Sequence, residues 1–82
     1  LLQASDDVLI VSGSDKLHNA RAIVSDLLEI GPDVFSRFTA GRDGTLWYYR
    51  TLAEIFERRG APMAAMLTAE VVQMELLAGV NA

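Results

Sequence analysis

The chain contains no cysteine. That excludes disulfide bridges and thiolate zinc sites as supports for the fold. It is compatible with a reducing compartment, and a cytoplasmic location is the expectation. Basic residues are scarce: Lys and Arg number 7 against 11 Asp and Glu, for a net charge of −4. Arg58-Arg59 is the only basic pair, so no patch suited to a phosphate backbone forms and no nucleic-acid partner is expected. No apolar run approaches the roughly 20 residues that span a bilayer. A leader with basic, apolar and small-residue regions is also lacking, so no membrane partner is expected. Repeats, low-complexity tracts and the alternation that marks strands are absent as well.

What is present is a short, apolar-rich chain. Its 82 residues allow one domain or part of one, and a chain of this size buries only about 60% of its unfolded surface. The apolar fraction is 51%, at the upper edge of the usual range. The chain opens on Leu1-Leu2 without an initiator methionine, and these two leucines read as the tail of an earlier helix. Together these features set the expectation that residues 1–82 are a single partial domain cut from something larger.

The pattern predicts an all-α fold with three main helices plus a short helical turn. Ser5-Asp6-Asp7 is a helix start: Ser5 caps free N–H groups and the aspartates sit at the positive end of the dipole. Gly31-Pro32 is the stop. Ile10, Leu17, Ala20, Val24, Leu27 and Leu28 recur at threes and fours, as a buried stripe requires. Gly13 beside that stripe permits another helix to come close, at a propensity cost of up to about 1 kcal/mol. The connection over 31–44 holds one helical turn with Pro32 at its first position. Phe35 and Phe38 are its expected anchors, and Gly41 and Gly44 bracket a turn. A second helix is expected from Thr45 to Arg59, burying Tyr48, Leu52, Ile55 and Phe56. The third runs from Ala61-Pro62 to Ala78, with Met63, Met66, Leu67, Val71, Met74 and Leu77 on one side. Its other side, Ala65, Ala69, Val72 and Leu76, is hardly more polar. A helix apolar all round is normally covered on more than one side.

One stretch of the first helix does not fit an apolar segment. Asp15-Lys16-Leu17-His18-Asn19 places four polar groups around a single leucine. Asp15 and Asn19 share a face, continued by Ala22 and Asp26 and preceded by Ser12, about 100° or more round from the Leu17–Val24 stripe. Two readings are open on spacing alone: a solvated face, or a face turned to a site. An Asp and an Asn at i, i+4 do not make a metal site by themselves, because a hard divalent ion requires further ligands.

The segment DDVLIVSGSDKLHNARAIVSDL resembles the last metal-ligand segment of the HD-domain phosphohydrolases. Within that family it is most similar to the guanosine polyphosphate hydrolases of the Rel/SpoT type. The family pattern, roughly (A/S)-D-(K/R)-L-x-N-x-R, is met by Ser14, Asp15, Lys16, Leu17, Asn19 and Arg21. Downstream, GRDGTLWYYRTLAEIF resembles the aromatic-rich helix that packs behind the site in these proteins. The resemblance covers about residues 5–59. It implies that Asp15 is a ligand to a divalent metal, manganese or similar, which would activate a bound water for phosphoester hydrolysis. It also implies that Asn19 contacts the nucleotide, that Lys16 and Arg21 are basic positions open to phosphate, and that Tyr48 or Tyr49 borders the nucleotide pocket.

The departure from the family is equally plain. His18 is the only histidine, and the resemblance assigns it no ligand role. The earlier histidine, the His-Asp pair and the acidic residues after that pair are all missing. The chain therefore reads as the C-terminal half of an HD domain, catalytically silent alone and binding no metal by itself. The alternative is a free-standing helical module for interaction or oligomerisation. Both readings leave apolar surface on the first and third helices, and a homo-oligomer is expected.

Overall fold

The first helix starts where its cap places it. In the computed structural model, which describes residues 5–79, the Ser5 hydroxyl accepts a hydrogen bond from the Val8 N–H at 3.3 Å. Asp6 and Asp7 occupy the first turn of α1 (Asp6–Ile30). The helix ends at Gly31, whose φ of 90° suits glycine and whose N–H reaches the Leu27 carbonyl at 2.9 Å. A short 3-10 helix follows over Pro32–Arg37, opened by its proline. Then come α2 (Gly41–Arg58) and α3 (Ala64–Leu77). The fold is all-α, three main helices and one short helical turn, with no strand among the described residues. Leu1-Leu2 lie outside the described residues.

The last helix holds the other two together. α3 packs along both α1 and α2, which scarcely touch each other, and the 3-10 helix closes one end against both. The result measures 36 × 23 × 18 Å. Phe56, Leu67, Met74, Val34 and Val71 are fully buried at its centre. Two side-chain bridges tie the ends: Arg59 reaches Asp6 at 3.3 Å, and Arg42 donates to the Ala78 carbonyl at 3.0 Å, satisfying an acceptor at the end of α3.

Several expectations are corrected by the packing. On α1, Leu17, Ala20 and Leu27 are buried as expected, but Leu9, Gly13 and Ile23 complete the stripe. Ile10 and Leu28 are exposed. The cause is Gly13: the Met63 thioether lies where a side chain on residue 13 would project, so α3 crosses there and draws Leu9 inward rather than Ile10. On α2 the buried aromatic is Tyr49, and Tyr48 is 42% exposed. The helix begins at Gly41, earlier than Thr45, because Gly41 takes φ 69° and turns the chain directly into the helix. Gly44 then leaves room for the Ala40 methyl. Phe35 anchors the connection; Phe38 stays at the surface. α3 begins at Ala64, after a turn in which the Ala64 N–H bonds to the Ala61 carbonyl at 3.0 Å. Met66, expected inside, is exposed.

Burial predicts a sharp contrast between two leucines. Leu67 is 0% exposed and Leu28 is 70% exposed. In urea unfolding, Leu67→Ala is expected to cost about 2–5 kcal/mol and Leu28→Ala less than about 0.5 kcal/mol. Gly13 gives a second contrast. Gly13→Leu must displace buried Met63 and is expected to destabilise by about 1–3 kcal/mol. Gly13→Ala loses less, because roughly 1 kcal/mol of helix propensity offsets its smaller clash.

Candidate functional site

Because α1 and α2 both rest on α3 without closing on each other, a groove runs between them on one side. Asn19, Ala22 and Asp26 of the α1 polar line border it, whereas Ser12 and Asp15 border a shallow hollow on α1 alone. Asp15, 61% exposed, stands 3.6 Å from the Lys16 ammonium. Lys16 leans across toward α2, where its side chain is only 25% exposed. Its nitrogen lies 5.9 Å from the centre of the Tyr48 ring, at the outer edge of cation–π range. Tyr48 in turn meets Tyr49 edge to face, ring centres 5.3 Å apart.

One turn further along α1, Asn19, Ala22, Ile23 and Asp26 line a depression with Phe38 and Tyr49. Arg37 bonds to the Asp26 carboxylate at 3.1 Å and holds the 3-10 helix against that end. Toward the N-terminus of α1, Asp15 also lines an open apolar groove with Asp7, Val8, Val11 and Ser12. Asp15 and Asn19 thus mark adjoining stretches of one surface, as the i, i+4 spacing places them.

The electrostatics follow from this crowding. Burial alone would lower the Lys16 pKa. The hydrogen bond to Tyr48, with the charges of Tyr48 and Asp15, outweighs burial and raises it above its ordinary 10.5. Tyr49 is raised above 10.0 by its burial, with Lys16 opposing and Tyr48 and Asp15 adding to the rise. Along this side of the molecule an amine, a carboxyl group, an amide and two phenol side chains lie within reach of one another's neighbours. Such a set can hydrogen-bond to a polar ligand and place the half-exposed Tyr48 ring against it.

Of the residues singled out in the sequence, Lys16 meets Tyr48 and has Asp15 beside it, while Asn19 lines the separate depression with Tyr49 and Phe38. Arg21 belongs to neither. It lies on the α3 side of α1, with its Nε 3.9 Å from the Glu70 carboxylate and its guanidinium 3.8 Å from the Met66 sulfur. The structure adds Tyr49, Phe38 and the Asp26–Arg37 pair. Asp26 was readable from its place on the Asp15–Asn19 line; Phe38 and Arg37 come from another element, and no spacing rule reaches them. Among the described residues no three His, Cys, Asp or Glu side chains gather to hold a metal ion. The described residues alone do not fit a metal centre, and no chemical step is derived through one. No protein-family model, curated protein or solved structure matches the chain.

The two raised pKa values fix the sign of a pH effect. For Lys16 and Tyr49 alike, the folded state holds its proton more tightly than the unfolded chain. Their contributions are fully present below the unfolded values, 10.5 and 10.0, and are lost as pH rises through the folded ones. Urea unfolding followed across the alkaline range is expected to show stability falling above about pH 10. Lys16→Met and Tyr49→Phe should each flatten that fall.

Proposed function

We propose that this chain is the aspartate-bearing part of a metal-dependent phosphohydrolase of the HD type. Its proposed substrate is a nucleotide, with guanosine tetraphosphate or pentaphosphate as the leading class. The observation that carries the reading is the presentation of Asp15. Its carboxylate is open to solvent on the surface of α1, with Asn19 one turn along and Lys16, which reaches toward the Tyr48 ring, beside it. Asp15 sits mid-helix, and its ion pair is with its own neighbour Lys16, so the carboxylate is free to face a ligand.

In this reading Asp15 offers one oxygen ligand to a divalent ion, manganese or similar. Asn19 donates to and accepts from the nucleotide, and Lys16 places positive charge where phosphate would lie. Tyr48 and Tyr49 form the wall. With a single histidine in the chain, the imidazole ligands come from outside these residues. The second reading, a helical interaction module, is favoured by apolar side chains left in solvent, among them Val8, Val11, Trp47 and Leu76.

Turnover separates the two. The 82-residue chain, given manganese and guanosine tetraphosphate, is expected to show none. A polypeptide from the same gene that also carries an upstream histidine and His-Asp pair should release pyrophosphate. In that polypeptide, Asp15→Asn should lower kcat/KM by at least about 100-fold, while Arg21→Met, altered on the opposite side of α1, should stay close to the parent. A fully active Asp15→Asn enzyme, or a gene with no such histidines, would remove the enzymatic reading.

A further inference from the structure

The three methionines of the chain sit in different surroundings. Met63 and Met74 belong to the core, 5% and 0% exposed, whereas Met66 is 48% exposed on α3. A thioether is oxidised where an oxidant reaches it, and Met66 is the one open to water. Its sulfur also has a cation beside it. The Arg21 guanidinium comes across from α1 and places Nη2 3.8 Å from the Met66 sulfur. Its Nε lies 3.9 Å from the Glu70 carboxylate, one turn further along α3. Thioether sulfur is a weak acceptor, so the contact with Met66 is loose as it stands. A guanidinium carries five N–H donors in a fixed fork, so a stronger bond at Met66 does not require it to release Glu70.

We propose that Met66 is an oxidation site, converted to its sulfoxide by hydrogen peroxide, and that Arg21 holds the sulfoxide oxygen. The sulfur lone pair attacks one peroxide oxygen. The S–O bond forms as the O–O bond breaks, and the departing hydroxide takes the proton of the transferred oxygen and leaves as water. Sulfur loses two electrons and the peroxide gains them. The product oxygen is a strong acceptor, and its bond to a guanidinium is charge-assisted. The geometry suits it: an oxygen on sulfur that accepts from Nη2 at about 2.9 Å fits the observed N···S separation of 3.8 Å with a bent S–O···N angle. The rotatable bonds of the exposed side chain let the oxygen turn to its donor. At Met63 or Met74 the same oxygen would enter a closed apolar interior, where an unpaired polar group is costly. Oxidation at Met66 thus makes one spot of α3 polar, leaves the core intact and adds a brace between α1 and α3. The inference uses no residue of the α1–α2 groove and stands or falls separately from the enzymatic reading.

Dilute hydrogen peroxide on the folded chain tests the site, with tandem mass spectrometry locating the added oxygen. Met66 is expected to react at least about 10-fold faster than Met63 and Met74, and Met66→Leu should remove that fast reaction. Equal rates at the three methionines, or a faster core methionine, overturn the assignment. Urea unfolding tests the capture, with the parent and Arg21→Leu each measured before and after single oxidation. Both positions are exposed, so circular dichroism should show the fold retained. Oxidation should be less harmful in the parent than in Arg21→Leu by about 5-fold or more in the unfolding equilibrium constant. Equal shifts in the two chains overturn the role of Arg21. The Arg21 side-chain N–H resonances give a second readout in the parent chain alone: they should move downfield on oxidation, and unmoved resonances likewise overturn the capture.

Discussion

The arrangement depends on the close approach of α3 to α1 at Gly13. The Met63 thioether occupies the space that a side chain on residue 13 would need. Glycine is a poor helix former, yet here it lies mid-helix with Met63 packed against it. That contact sets where α3 crosses α1, and so which residues of α1 turn inward. Leu9, Leu17, Ala20, Ile23 and Leu27 line up with Gly13 on the covered side. The row about a quarter-turn or more away, from Ser12 through Asp15 and Asn19 to Asp26, is left off the α3 contact, and its Asn19 and Asp26 border the depression against Phe38 and Tyr49.

The groove is a consequence of how few helices there are. Three helices of 25, 18 and 14 residues allow one to be sandwiched between two, and here the sandwiched one is α3. α1 and α2 then touch little. Lys16 reaches from α1 to the Tyr48 ring on α2, with Asp15 at its side. Exposed ion pairs contribute only about 0–1 kcal/mol, so the stability of the molecule comes from Phe56, Leu67, Val71 and Met74. The polar groups shape a surface instead.

Much of the fold was legible along the chain. Caps and stops act through bonds to neighbours three or four residues away, so Ser5, Gly31 and Pro32 announced the first helix and the short turn after it. The i, i+4 relation of Asp15 and Asn19 is local in the same way, and they border adjoining stretches of one surface. What misled was the choice between adjacent apolar rows. Ile10 against Leu9, and Tyr48 against Tyr49, differ by one position, about 100° of azimuth, and both members of each pair are apolar enough to be buried. Phe38 and Met66, expected inside together with Phe35 and Leu67, are exposed because the core closes over only one member of each pair.

By itself the amino-acid order determined that the chain is all-α, roughly where its helices stop, and that Asp15 and Asn19 share a face. Each of those properties is settled by interactions within a few residues. Tertiary structure alone decided that Lys16 meets Tyr48, that Arg21 turns to Glu70, and that Met66 stays at the surface. These depend on the direction from which a distant helix arrives, which is set by packing of the whole core around Gly13 and Met63.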